Sequence, residues 1–187
     1  MILQGNSLFT QASFSWRNRM ARAVWGMVWV LLFRPSPRPL HAWRALLLRL
    51  FGATLGQHVK VYPGVKVWAP WALHIGSNVA IGNGVTLYNM ATLTIGDYCV
   101  VSQGAHLCGG THDLNSPNFQ LMTNPITLGR HVWICAEAFV GNGVSIADGS
   151  VIGARAVVAK SITQPWTVWA GVPAKAIGSR NPQQVSP

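Results

Sequence analysis

Acidic side chains are scarce: 4 of 187 residues are Asp or Glu against 14 Lys and Arg, and none of the four precedes Asp97. Charged residues make up 10% of the chain and hydrophobic ones 50%, a balance that excludes a disordered or collagen-like chain and implies a globular one. Cysteine is equally sparse. Cys99, Cys108 and Cys135 are an odd set without C-x-x-C spacing, so they make no disulfide framework, and the length suits one domain that buries its core without staples. With no cleavable secretory signal at the start of the sequence, these thiols point to a cytosolic compartment. Nor does any apolar stretch reach the roughly 20 residues that a bilayer span needs.

What the sequence does have is a period of six. Leu128, Ile134, Val140, Ile146, Ile152 and Val158 form an aliphatic ladder, and Val132, Ala138, Val144, Ser150 and Ala156 follow the first five rungs at four residues. The rule recurs at Ile75, Ile81 and Leu87, at Ile95, Val101 and Leu107, and at Leu55, Val61 and Val67. Each unit reads as a short strand plus a corner: the aliphatic residue and its small companion point inward, and Gly, Asn or Asp takes the strained backbone at the bend. Such units bury their apolar residues only when stacked, at roughly 4.8 Å per layer, into a prism filled with aliphatic rows. The spacing therefore predicts an all-β parallel β-helix over 55–162 in which the ladder residues are core. Two-residue slips fall at Leu73 to Ile75 and at Leu93 to Ile95. A larger break, 108–127, carries Pro117 and Pro125 and reads as a loop extruded from the solenoid, where a rigid scaffold commonly presents chemistry.

Residues 1–54 read as a helical cap. Trp16 to Phe33 and Leu40 to Phe51 are apolar segments separated by the proline-rich RPSPRP, with seven arginines from Arg17 to Arg49 and the four tryptophans Trp16, Trp25, Trp29 and Trp43. Helices here would close the open end of the solenoid, and the mixture of arginine and tryptophan also suits contact with a membrane surface, at the inner face of the cytoplasmic membrane. The basic field favours an anionic partner, but the arginines fall among apolar helix residues with no nucleic-acid motif, so nucleic acid is not expected. Residues 163–187 form a short tail.

With the repeats and the loop in place, GTHD at 110–113, the block ITLGRHVWICAEAFVGNGVSIADGSVIGARAVVAKSI at 126–162 and AGVPAKAI at 170–177 give the chain a specific likeness. It resembles the hexapeptide-repeat acyltransferases, and among them the colanic-acid-type polysaccharide O-acetyltransferases. The resemblance implies a left-handed winding, a homotrimer with active sites between neighbouring prisms, and transfer of acetyl from acetyl-CoA to a sugar hydroxyl, in a lipid-linked or exported polysaccharide precursor. No metal is implied.

An alcohol becomes a competent nucleophile when its proton is removed as the new bond forms, and an imidazole titrates close enough to neutrality for that task. His112, in the extruded loop beside glycines, is the candidate, and the resemblance makes it the general base. Asp97 and Asp148 occupy corner slots, which leaves Asp113 and Glu137 as carboxylates that could orient the ring; a backbone carbonyl would do the same work. The resemblance places Trp133 and Ala136 beside the pantetheine arm and Ala154 along it through backbone contacts. It places Lys160 and Lys175 near the phosphates, with Arg180 as a further cation. Asn89 falls where related enzymes contact the acceptor, although Met90 stands where some of them have an acid. Two other readings stay open. γ-Type carbonic anhydrases share this scaffold and bind zinc through three histidines, for which His106, His112 and His131 would be the candidates, though His131 sits at a regular corner. A non-catalytic solenoid docked on a membrane through the basic N-terminus is the other.

Overall fold

A computed structural model describes residues 13–182; the outer ends of the cap (1–12) and of the tail (183–187) lie outside it. Its body is a parallel β-helix of three faces. Face one stacks Thr54–Leu55, Leu73–Ile75, Leu93–Ile95, Ile126–Leu128 and Ser145–Ile146, and face three stacks Lys66–Val67, Thr86–Tyr88, His106–Cys108, Phe139–Val140 and Val157–Val158. Face two runs from Lys60–Val61 through Ala80–Ile81, Val100–Val101, Trp133–Ile134 and Val151–Ile152 to Thr167–Ala170. The register is regular: Lys60, Ala80, Val100, Trp133, Val151 and Val168 lie in one row.

The aliphatic ladder is the core. Val61, Ile81, Val101, Ile134 and Ile152 on face two are all fully buried, as are Leu107 and Val140 on face three. The slips are not interruptions. At Leu73–Ile75, Leu93–Ile95 and Ile126–Leu128 the strand is three residues long and both end residues point inward, so face one is wider there. The extra chain lies in the preceding corner, 68–72 in the first coil and 89–92 in the second. The loop leaves from that same corner one coil later, and spans 109–125 because Cys108 and Ile126 are still in strands.

The expected left-handed backbone at the bends is carried by glycine or asparagine at Asn78, Gly84, Gly104, Gly143 and Gly149, and at the corner between faces one and two also by Tyr98 and His131, with φ of 59° and 57°. The glycine that follows each aliphatic residue answers to spacing instead: a Cβ on Gly96 would stand 2.6 Å from the Gly129 carbonyl oxygen of the next coil.

Both ends of a stacked solenoid expose strand edges, and each is covered. Helix α1 (Trp16–Val28) starts at Ser15, whose hydroxyl accepts from the Asn18 N–H, and continues as a π-helical turn (Trp29–Phe33) that the sequence pattern did not predict. After the prolines comes α2 (His41–Leu50). Together they cap the first coil by donating to its carbonyls: Trp25 Nε1 to Val67 O at 2.8 Å, Trp29 Nε1 to Val65 O at 2.7 Å and Arg44 Nε to Val61 O at 2.6 Å. The remaining guanidinium nitrogens of Arg44, a fully buried side chain, donate to Ser36 Oγ, Pro37 O and Arg38 O and so fix the proline turn. At the far end Lys175–Ser179 turns back antiparallel on Thr167–Ala170. The parallel stack thus extends past residue 162 to Ala170, and the tail is its closing strand. No helix of the described residues is long and apolar enough to cross a membrane.

Two outcomes follow. Arg44→Met strips four acceptors of a charged donor and should lower stability by about 3 kcal/mol, since hydrogen bonds to charged groups contribute about 1.5–3 kcal/mol each; an unchanged urea midpoint would contradict the capping role. His106, on face three, packs between Tyr88 and Phe139 with Nε2 buried and unpartnered among the described residues, and burial lowers its pKa below the ordinary 6.5. The unfolded chain then binds the proton more readily than the folded one, so the stability of the neutral ring is present above about pH 6.5 and lost as pH falls below it. His106→Phe should flatten the decline in Tm on acidification from about pH 7 to pH 5, and parallel curves for variant and parent would contradict the assignment.

Candidate active site

The loop is built to hold one imidazole. Thr111–His112 pairs antiparallel with Leu121–Met122, placing His112 opposite Leu121. Gly110 lies against the corner below, where a Cβ would approach Met90 Sδ to 2.7 Å. Asp113 Oδ1 accepts from the Asn115 N–H at 2.9 Å, the Phe119 N–H donates to Ser116 O at 3.0 Å, and Phe119 turns through a positive φ of 46°. That turn aims the Phe119 carbonyl at His112 Nδ1, 2.7 Å away. A carbonyl can only accept, so Nδ1 carries a hydrogen, and in the neutral ring the lone pair is then on Nε2.

His112 is exposed and borders a cavity of about 430 Å³. Leu121 of the loop, Tyr88 at the end of a face-three strand, Met90 of the long corner, and Ser13, Phe14, Arg19 and Arg22 of the N-terminal segment form its other walls. Burial raises the pKa of the Tyr88 phenol, with Arg22 opposing, so the hydroxyl stays protonated. The arginines and Tyr88 were not singled out as site residues from the sequence. Their signals were weak but present: Arg19 and Arg22 are spaced i, i+3 on a helix, and an aromatic residue ends the widened strand Thr86–Tyr88 on face three.

The carboxylates sit elsewhere. The Asp113 carboxylate is engaged in its own loop turn, and Glu137 Oε2 accepts from Arg155 Nε at 2.7 Å at the exposed corner between faces two and three. Within the chain, then, the orienting partner of the ring is the backbone carbonyl rather than Asp113 or Glu137. Asn89 is also corrected: it is 2% exposed, its Oδ1 accepts from the Ala69 N–H at 3.1 Å and its Nδ2 donates to Ala69 O at 2.6 Å, so it clamps two successive corners.

The residues expected along a cofactor arm form a rising series. Trp133 lies on face two, 45% exposed, with Nε1 donating to Ser102 Oγ at 2.9 Å. Ala136 and Ala154 occupy the same corner in successive coils, linked by the Arg155 N–H to Ala136 O bond, and their own N–H groups have no intramolecular partner among the described residues. Lys175 begins the closing strand, while Lys160 lies past the end of face three at another corner. Arg180 Nη1 donates to His131 O at 2.9 Å, which gives that cation a structural task. The three histidines of the zinc alternative are dispersed: His106 between aromatic rings of face three, His131 stacked on Tyr98 at 4.8 Å, His112 in the loop. Among the described residues no three His, Cys, Asp or Glu group around a common point.

No family model matches the chain. Its sequence is 41% identical over 163 residues to the acetyltransferase WcaF of Escherichia coli (strain K12), a protein named for colanic acid biosynthesis, covering 87% of this chain and 89% of that one. Among solved structures, a hexapeptide-repeat acetyltransferase of Vibrio cholerae is similar with a TM-score of 0.82 at 25% identity, covering 89% of this chain and 94% of that one. A galactoside acetyltransferase in complex with coenzyme A is similar with a TM-score of 0.74 at 26% identity over 92% and 86% of the two chains.

If the Phe119 carbonyl rather than a carboxylate orients His112, Asp113→Asn and Glu137→Gln should each change the rate of acetyl transfer by less than about threefold. A loss of about a hundredfold in either, the scale of a general acid–base contribution, would restore that carboxylate to the mechanism.

Proposed function

The chain belongs to the hexapeptide-repeat acetyltransferases, and from that premise we propose that it moves acetyl from acetyl-CoA to a sugar hydroxyl in polysaccharide biosynthesis, with His112 as general base. The observation that carries this reading is the Nδ1 to Phe119 O contact, which leaves Nε2 free at the edge of a cavity. In the proposed step Nε2 takes the hydroxyl proton as the oxygen attacks the thioester carbonyl. The tetrahedral intermediate then expels the thiolate, which regains that proton from the imidazolium, so the products are an O-acetyl sugar and CoA thiol.

The pantetheine arm is assigned to the corner of Ala136 and Ala154, whose free N–H groups suit its amide carbonyls, beside Trp133. Successive coils rise by roughly 4.8 Å, so the arm would climb from coil to coil toward Lys175 and its charge for the phosphates. Lys160 is a second cation for that end. This corner and the corner that emits the loop are separated by face three. A homotrimer, in which the loop of one prism serves the groove of its neighbour, resolves that separation and is part of the proposal; the mass of the native protein in solution tests it.

The cap supports a location at the membrane. Trp16, Met20, Met27 and Leu31 of the first helical segment and Trp43, Leu46 and Leu50 of α2 are large apolar residues left exposed, with Arg17, Arg34, Arg38 and Arg49 exposed among them. An apolar stripe edged by arginine and free of acids matches an anionic lipid surface, such as the inner face of the cytoplasmic membrane.

His112→Ala should lower kcat by about 10²- to 10⁴-fold while the Kd for acetyl-CoA, measured by calorimetry, stays unchanged. Retained turnover would overturn the assignment of the base. Lys175→Ala should weaken acetyl-CoA binding and make it less sensitive to salt, because a lost phosphate contact removes a screened attraction.

A further inference from the structure

The cavity beside His112 shares two of its lining residues with a second concavity. A groove of about 400 Å³ runs between α1 and face three, and Trp25, Gly26, Trp29, Trp68 and Leu87 are among its walls. Arg22 and Tyr88 line both spaces, so the aromatic groove and the His112 cavity are neighbours on either side of these two side chains.

Arg22 is held at that junction by neutral groups. Its Nε donates to Asn18 Oδ1 at 3.0 Å, and its guanidinium lies 4.4 Å from the centroid of Trp68 and 5.4 Å from that of Phe14. The ion pairs of the described residues are Arg130 with Asp97 and Arg155 with Glu137, both remote from the junction, and the first 96 residues contain no acid at all. Arg22, which lines both spaces, therefore has no counter-charge among the described residues, and Arg19 lies one helical turn away on the wall of the His112 cavity. A guanidinium fork suits the oxygens of a phosphate.

Gly26 contributes the third element. On the helix it shares a side with Arg22 and Trp29, at i+4 and i+7, and a Cβ built on it would meet nothing within 4 Å. The helix leaves open, over the groove, a space that any larger side chain would occupy.

We propose that the acceptor is an amphiphile in which a sugar is joined through phosphate to an apolar chain: the sugar beside His112, the phosphate at Arg22 and Arg19, the start of the chain in the groove of Trp25, Gly26 and Trp29. This rests on the reading of His112 as the base. The outer side of α1 is the apolar stripe proposed to lie on lipid, so an acceptor anchored in a bilayer would reach the site along the helix that touches the membrane.

The binding test needs no turnover and uses the whole protein with octyl phosphate as probe, against inorganic phosphate and the uncharged octyl glucoside, read by quenching of tryptophan fluorescence. Octyl phosphate should bind at least about tenfold more tightly than either control, the scale of one charge-assisted contact or a few buried methylenes. Arg22→Gln should erase its advantage over octyl glucoside. Gly26→Leu, which fills the groove at a position with room for the side chain, should erase its advantage over inorganic phosphate. Equal binding of octyl phosphate by the parent and both variants overturns the proposal. In turnover, kcat/KM for an octyl-phosphate-linked sugar should exceed that for the free sugar by at least about tenfold. If both sugars are acetylated equally and His112→Ala abolishes both reactions, the amphiphile proposal fails while the base stands. If His112→Ala leaves turnover intact, the base assignment fails instead, and the octyl phosphate result still decides what occupies the groove.

Discussion

The strands of each coil are paired with those of the neighbouring coils, and the rest of the molecule follows from that dependence. Layers held at roughly 4.8 Å by hydrogen bonds leave no room for a side chain where corners pass each other, which is why Gly96 sits beneath the Gly129 carbonyl. They also leave an unpaired edge at each end. The N-terminal helices answer with side-chain donors from Trp25, Trp29 and Arg44, and the closing strand Lys175–Ser179 answers at the other end. Placing α1 across face three to supply those donors creates the groove beneath it and leaves its opposite side turned to solvent. Cap, groove and exposed stripe are three results of one requirement.

The same stacking decides where chemistry can sit. Chain that does not fit a coil leaves at a corner, and here the corner is the one already lengthened at 68–72 and 89–92. A loop on such a base still has to orient its own histidine, and this chain has few acids with which to do so. All four are engaged: Asp97 with the Ser77 N–H and the Arg130 guanidinium, Asp148 with the Arg130 N–H, Glu137 with Arg155, and Asp113 with the Asn115 N–H. The carbonyl of Phe119 performs the orienting, and without a carboxylate beside it the cavity keeps the positive field of Arg19 and Arg22. It is this lack of acid that the proposed phosphate-bearing acceptor would match.

Much of the fold could be read directly from the period of six, because a residue's place in the hexad decides whether it points inward: Ile81, Val101, Ile134 and Ile152 were all expected in the core and are. Asp97 and Asp148 were legible as corner residues for the same reason. Errors came where two neighbouring coils, rather than one hexad, set the requirement. Glycine at the bends was read correctly at Gly84, Gly104, Gly143 and Gly149, but the second role of glycines such as Gly96 was not seen, because the contact that forbids a side chain comes from another coil. The slip at Leu73 to Ile75 proved to be a widened strand, since its second inward residue is recognisable only from the register with Leu93 and Ile95. Asn89 was expected at the acceptor but spends its amide on Ala69, twenty residues away. His112 was singled out through its loop and its motif, whereas the approach of Arg22 and Tyr88 to the same cavity was not foreseen because it depends on how the cap lies on face three. The hand of the winding came from the likeness to a family, as periodicity carries no hand.

The central claim is that the scaffold presents His112 as a neutral ring with hydrogen on Nδ1 and a lone pair on Nε2. Nitrogen-15 NMR of histidine-labelled protein in mildly alkaline solution reads that directly, with the His112 signals identified by their loss in His112→Gln. The account predicts a protonated Nδ1 and an unprotonated Nε2 at this residue. A ring protonated on Nε2 instead would mean that the Phe119 carbonyl does not hold it, and that the nitrogen facing the cavity is no base.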